Sequence, residues 1–145
     1  VIQVRPGVAN IVPAEVSLSY ELREVSGEML QHLAAESQAL IEEIAAAWGL
    51  EASVEPLLTV KPVPLAGEVK DAILAAIKGL GYSHMRLPAM AGHDAQVISH
   101  VAPAGMIFVP SRDGRSHSPL EFTSDEDLER GANVLLHTLL ALAGR

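Results

Sequence analysis

The sequence of 145 residues carries 10 Lys and Arg against 18 Asp and Glu, a formal charge of −8, with 49% hydrophobic residues and no Cys. A chain of this length buries roughly two thirds of its unfolded surface on folding, and its apolar content suffices for such a core. The acidic balance and the low aromatic content argue against a nucleic-acid partner. No apolar run approaches the ~20 residues of a membrane span, and without Cys there is no disulfide framework, so a cytoplasmic protein is expected.

The first 24 residues predict two strands, over 1–5 and 15–24. Pro6-Gly7 is a turn signal between them, and the second strand has apolar residues at every other position: Val16, Leu18, Tyr20 and Leu22. Successive side chains of a strand point to opposite faces. Arg23 is therefore expected to point away from the core.

A helix over 28–48 and a third strand over 52–60 follow. Ser26 is placed to cap the helix and Gly49 to end it, and its apolar stripe is predicted to comprise Met29, Leu30, Leu33, Leu40, Ile41, Ile44 and Trp48. Pro62 and Pro64 then interrupt regular structure. They divide the chain into an α+β part, 1–62, and a second part, 63–145.

The second part is predicted to contain helices over 68–78 and 125–143, a short strand over 104–109 and a helix that begins near 91–95. Ser124 and Asp127 form a capping-box pattern at the start of the last helix. The inner face of that helix is predicted to be Leu128, Ala132, Leu135, Leu139 and Leu142.

The loop 110–121 holds most of the chemically versatile side chains of the chain and lies between a predicted strand and a predicted helix, where α/β proteins place functional loops. His117 in this loop is a candidate metal ligand or general base, oriented by Asp113 or Glu121. The alternative is a solvated histidine with no role.

Three residues outside this loop are further candidates. His93, beside Asp94 at a predicted helix start, either binds an anion or oxyanion or forms a capping pair with Asp94. Arg23 is a candidate carboxylate clamp because its planar guanidinium donates to two oxygens at once, the alternative being a solvated side chain. Asn10 most simply serves a turn.

Several motifs resemble, in order and spacing, the N-carbamoyl-L-amino-acid hydrolase and allantoate amidohydrolase group of the M20 metallopeptidase-like family. The resemblance covers essentially the whole chain. It rests on Pro6-Gly7-x-x-Asn10-Ile11-Val12-Pro13, Glu21-Leu22-Arg23, Gly92-His93-Asp94-Ala95-Gln96, Ala102-Pro103-x-Gly105-Met106-Ile107-Phe108-Val109-Pro110-Ser111 and Gly114-x-Ser116-His117-Ser118-Pro119-x-Glu121.

The resemblance implies an α/β fold, in which 1–62 is part of an α+β lid or dimerisation domain and 63–145 is the C-terminal part of an α/β metallohydrolase catalytic domain. It also implies roles for individual residues. His117 would be a ligand of one of two bridged divalent metal ions (Zn, Mn, Co or Ni). His93 would contact the substrate or stabilise the tetrahedral intermediate, and substrate binding would fall to Asn10, Arg23 and Gly92.

The chain departs from the family pattern in two ways. Met90 replaces a usual Gly before Gly92-His93, and Glu21 replaces the Asp of the usual Asp-x-Arg. The family's other metal ligands, its bridging Asp and its general-base Glu belong to an N-terminal half that this sequence does not contain. We therefore expect a piece of a longer protein that by itself holds no catalytic metal centre, because His117 alone does not make a divalent site.

The resulting functional hypothesis is a C-terminal fragment of a binuclear metal-dependent amidohydrolase. Its substrate would be a small N-carbamoyl amino acid or allantoate, and its partners a second copy in a homodimer and a missing N-terminal half or partner chain. Two alternatives remain: a non-catalytic lid or dimerisation module, or degenerate remnant, inactive alone, and an M20 aminoacylase or peptidase. Neither nucleic acid nor membrane is expected as a partner.

Overall fold

The computed structural model describes residues 1–144 and divides the chain into two compact units, Val1–Pro62 and Val63–Arg145. Unit 1 contains strands β1 (Ile2–Arg5) and β2 (Glu15–Leu18) and helix α1 (Gly27–Ala47). Unit 2 contains helices α2 (Gly67–Gly79), α3 (Asp94–Ile98) and α4 (Asp125–Ala143), with a 3₁₀ turn at Arg112–Gly114. The fold is mixed α/β, as the sequence predicts. Within residues 1–144, none of the helices combines the length and the apolar composition that a membrane span requires.

The two strands form an antiparallel hairpin whose register separates apolar from polar side chains. Ile2 pairs with Leu18 and Val4 with Val16 on one face, whereas Gln3 and Arg5 pair with Ser17 and Glu15 on the other. The second strand was predicted over 15–24, and this extent is wrong. The pairing continues to Ser19, which donates its N–H to the Val1 carbonyl at 3.0 Å, and residues 20–24 are irregular.

Helix α1 begins and ends where local signals predict. The Ser26 hydroxyl accepts a hydrogen bond from the Met29 N–H at 3.3 Å, and Gly49, at φ +66°, follows the helix end in the left-handed region that glycine adopts without strain. The predicted apolar stripe is only half right. Leu30, Leu33 and Ile41 are half-buried, and the other four members are exposed: Met29, Leu40, Ile44 and Trp48.

The predicted strands over 52–60 and 104–109 are both wrong. Neither segment pairs with a strand, since the two-stranded sheet β1–β2 accounts for every strand within residues 1–144. A β-strand forms only where its backbone hydrogen-bonds to a neighbouring strand. An alternating pattern of side chains does not provide that neighbour. Segment 104–109 is nevertheless well packed, with Ala104 buried and an N–H···O bond from Ala66 to the Ala104 carbonyl at 2.9 Å.

The core lies in unit 2, where α2 packs against α4. Among the described residues the buried ones are Ala72, Ala104, Val134 and Thr138. The predicted inner face of α4 is therefore wrong, since Leu128, Leu135 and Leu139 are about half exposed and Ala132 is exposed as well. Only Leu142 of that set is half-buried. Helix α4 is apolar on more than one face, and packing against α2 selects the face of Val134 and Thr138.

Candidate functional site

The candidate residues of unit 1 lie in the hairpin loop and just after β2. Asn10 is in the turn of the loop that joins β1 to β2 and is exposed, in agreement with the predicted turn. Two bonds hold this loop in shape: the Ala14 N–H donates to the Arg5 carbonyl at 2.8 Å, and the Ile11 N–H to the Val8 carbonyl at 3.4 Å. The exposed side-chain amide of Asn10 therefore lies on a loop that two backbone hydrogen bonds hold in place.

Arg23 already holds a carboxylate in this structure. Its Nε donates to Glu21 Oε1 at 2.9 Å and its Nη2 to Glu21 Oε2 at 3.2 Å. Both side chains are largely exposed. The bidentate geometry is that of guanidinium recognition of a carboxylate.

In unit 2, Gly92 and His93 immediately precede the short helix α3. His93 is the N-cap residue, with extended backbone, and its side chain makes no capping hydrogen bond. His93 and Asp94 thus occupy the cap and first-turn positions of the capping alternative, but without a capping hydrogen bond from the His93 side chain. The imidazole instead packs edge-on against Phe108, with ring centroids 5.7 Å apart and an interplanar angle of 80°. Sequence reasoning missed this contact, because the two residues lie in different segments of the chain.

Residues 110–123, which we call the 110–123 loop, are closed at their base by two hydrogen bonds. Thr123 Oγ1 donates to the Pro110 carbonyl at 2.9 Å, and the Arg112 N–H donates to the Phe122 carbonyl at 2.8 Å. The Arg112 guanidinium also lies 4.2 Å from the centre of the Phe122 ring, a cation–π contact. The loop that carries His117 is therefore shaped by its own side chains.

Within this loop, Glu121 and Asp113 behave differently toward His117. Glu121 Oε2 accepts the main-chain N–H of His117 at 2.8 Å, whereas Asp113 pairs with Arg115 Nε at 3.6 Å. Of the two predicted orienting residues, Glu121 is the one that contacts His117, and it contacts the backbone. His117 itself is exposed, at φ 55°.

His117 has the donor chemistry of a metal ligand, because a neutral imidazole binds Zn²⁺ and related ions. Among residues 1–144, however, no three His, Asp or Glu side chains come together in a group that fits a metal ion. The described residues therefore do not fit a complete metal centre by themselves, and any such centre would need ligands from elsewhere.

The chain matches the model of peptidase family M20/M25/M40 over residues 2–141. It belongs to the M20 family. It is 39% identical over 139 residues to the N-carbamoyl-L-amino-acid amidohydrolase of Paenarthrobacter aurescens, covering 96% of this chain and 34% of that protein. It is 37% identical over 142 residues to the allantoate amidohydrolase of Bacillus subtilis, covering 98% of this chain and 34% of that protein.

A solved structure of a hydantoinase/carbamoylase family amidase has the same fold as this chain over the matched region. The hydantoinase/carbamoylase family amidase of Burkholderia multivorans superposes with a TM-score of 0.85 at 35% identity, over 97% of this chain and 34% of that one. The resemblance predicted from the motifs is thus confirmed, and the relatives in this branch of the M20 family are amidohydrolases. The chain spans about a third of the length of the curated relatives it matches.

Proposed function

We propose that this chain forms part of a metal-dependent amidohydrolase that hydrolyses the C–N bond of an N-carbamoyl amino acid or of allantoate. The observation that carries the proposal is its 37–39% identity, over nearly its whole length, to amidohydrolases of these two substrates. Both substrates present a ureido carbonyl and a carboxylate. The candidate residues offer complementary groups for each.

Arg23 is the proposed carboxylate-binding residue. Its guanidinium holds the Glu21 carboxylate through two bonds and would exchange this partner for the substrate. Asn10, in the loop that joins β1 to β2, is the second proposed substrate-binding residue of unit 1. The exchange costs little because the Arg23–Glu21 pair is exposed, and exposed ion pairs contribute little to stability.

The proposed role of His93 is to donate a hydrogen bond to the oxyanion that develops when water adds to the ureido carbonyl. Gly92 has open space around its Cα, since a Cβ there would meet nothing within 4 Å. Residue 92 therefore leaves room for a substrate beside the His93 backbone.

His117 is proposed to supply one imidazole ligand to a pair of divalent ions, completed by residues that this chain does not contain. Units 1 and 2 would then be the partial lid or dimerisation domain and the C-terminal part of the catalytic domain. A homodimer is proposed through unit 1, whose two-stranded sheet has two open edges that would accept further strands.

A chimera tests the substrate class. The matching third of the Paenarthrobacter aurescens enzyme is replaced by this chain, and hydrolysis of N-carbamoyl, N-acetyl and dipeptide substrates is measured with added Mn²⁺ or Zn²⁺ alongside the unmodified enzyme. We expect release of the amino acid from N-carbamoyl substrates. Hydrolysis of N-acetyl or dipeptide substrates alone would instead favour an aminoacylase or peptidase.

The non-catalytic alternative is favoured by one observation, the lack of a three-ligand group among residues 1–144. A chimera with native circular dichroism and cooperative unfolding that hydrolyses none of the three substrates would support it.

In an active chimera, Arg23→Lys removes the bidentate fork, and we expect KM to rise about tenfold or more, since a hydrogen bond to a charged group contributes about 1.5–3 kcal/mol. Arg5→Lys, on the polar face of β1, is the matched control and should leave KM unchanged.

A further inference from the structure

The backbone of His117 has a conformation that few side-chain-bearing residues adopt. Its φ of 55° lies in the left-handed region, where a Cβ crowds the following carbonyl oxygen. Such a residue persists only when its surroundings hold it there. The question is which group in the 110–123 loop does so.

The side chain of Glu121 is that group. Its Oε2 accepts the His117 N–H at 2.8 Å, a charge-assisted bond of the stronger kind. The backbone of Glu121 is fixed in turn, because its own N–H donates to the Ser118 carbonyl at 2.9 Å. The Ser118 hydroxyl accepts the Leu120 N–H at 3.2 Å, so residues 117–121 form one closed turn.

We propose that Glu121 is a positioning residue for His117. It acts on the main chain, because its carboxylate stabilises the left-handed conformation at residue 117. This conformation sets the direction of the His117 Cα–Cβ bond and therefore where the imidazole lies. This inference rests on the proposed function in one respect, the role of His117 as a ligand. The positioning itself is a property of the turn and can be measured without metal or substrate.

The first experiment is NMR of the 145-residue chain and three variants: Glu121→Ala, Glu121→Gln and the control Glu129→Gln on α4. The φ-sensitive couplings and the amide proton shift of His117 are recorded together with the thermal unfolding midpoint. In Glu121→Ala we expect the His117 amide proton to lose its downfield shift and the couplings to leave the positive-φ range. Glu121→Gln, which keeps an acceptor oxygen but loses the charge, should retain the positive-φ couplings with a smaller downfield shift than the parent chain, and Glu129→Gln should match the parent chain.

The proposal is overturned if His117 keeps its positive-φ couplings in a folded Glu121→Ala chain. It is also overturned if Glu121→Gln behaves like Glu121→Ala, because acceptance of the N–H is the stated cause. If Glu121→Ala fails to fold, the Gln variant decides the matter alone: a weakened amide shift with positive φ retained supports the proposal, and an unchanged shift refutes it.

A second measurement separates this inference from the proposed function. In the chimera, Zn²⁺ affinity is measured by competition with a chelator. A residue that orients a ligand typically changes metal affinity 10–100-fold, so we expect a loss of about that size for Glu121→Ala and a smaller one for Glu121→Gln. If His117→Ala leaves Zn²⁺ affinity unchanged, the ligand role fails while the NMR result on the turn stands. If His117→Ala weakens binding and Glu121→Ala does not, positioning has no consequence for the site and the inference fails.

Discussion

Ser124 shows how one hydroxyl sets the start of a helix. It accepts the Asp127 N–H at 3.2 Å and donates to Asp127 Oδ2 at 2.7 Å, which satisfies one of the backbone donors left unpaired at a helix N-terminus. The prediction from sequence was confirmed here because both partners lie within one turn of each other. Local hydrogen bonds of this kind are visible in the order of residues.

Ser124→Ala is expected to destabilise unit 2 by about 1 kcal/mol, the usual cost of removing an N-cap hydroxyl. Urea unfolding followed by circular dichroism measures it. Ser83, an exposed serine outside the helices, provides the control: Ser83→Ala should change the free energy of unfolding by less than about 0.5 kcal/mol. Equal effects of the two substitutions would contradict the capping role.

Gly131 permits a close approach between α4 and Val109. A Cβ at Gly131 would lie 2.5 Å from Val109 Cγ1, closer than two carbons approach. Gly131→Ala is therefore expected to destabilise unit 2 by about 1–3 kcal/mol through overpacking, measured by urea unfolding.

Two further variants test that explanation of Gly131. The double variant Gly131→Ala with Val109→Ala removes the obstructing methyl groups, so its cost should be less than the sum of the two single costs. Gly79→Ala, in α2 where a Cβ meets nothing within 4 Å, should not destabilise unit 2, because Ala favours a helix over Gly. A strictly additive double variant would mean that the clash is not the cause.

At the scale of elements, the sequence predicted both ends of α4 correctly. It did not predict which face of α4 is buried. Its caps are local, but its apolar residues occupy more than one face, and the sequence stripe selected the wrong one. Val134 is 5% exposed whereas Leu135 is 50% exposed. Which face is buried depends on α2, a helix about 50 residues earlier in the chain.

The observed orientation of α4 predicts unequal costs for neighbouring truncations. Val134→Ala should cost about 1–3 kcal/mol because it opens a cavity against α2. Leu135→Ala, which removes more carbon from an exposed position, should cost less than about 0.5 kcal/mol. Chemical denaturation of both variants tests this, and the reverse order would restore the face predicted from sequence.

At the scale of the whole molecule, the two units differ in how much they bury. All four buried residues of the described chain lie in unit 2, and none lies in β1, β2 or α1. Local stability follows burial and contact density. We therefore expect unit 1 to open more readily than unit 2.

Amide hydrogen exchange of the 145-residue chain measures this difference directly. The central amides of α2 and α4 should exchange at least tenfold more slowly than those of α1, despite the 21-residue length of α1, since helix length alone gives little protection in water. Both sets are observed in one sample, so pH and temperature are matched internally. Equal protection in α1 and α4 would show that unit 1 has a stability that its burial does not explain.

The candidate residues of each unit are recognisable from the sequence only in part. Their types, Arg23 in unit 1 and His93 and His117 in unit 2, are recognisable from motif order, and so is membership in the M20 family. The edge-on contact of Phe108 with His93 and the hydrogen bond that the His117 N–H donates to Glu121 are not recognisable in this way. They depend on how separate segments or turns fold back on one another.

The sequence by itself determined the helix ends and the chemistry of the candidate residues, because caps such as Ser26 and Ser124 act within three residues of themselves. Only the tertiary structure decided which segments became strands and which face of α4 was buried. The residues of 52–60 and 104–109 alternate or are apolar like strands, but a strand requires a neighbour with unpaired N–H and C=O groups, and none lies alongside them within residues 1–144. Long-range pairing and packing are decided between elements, and no local pattern encodes them.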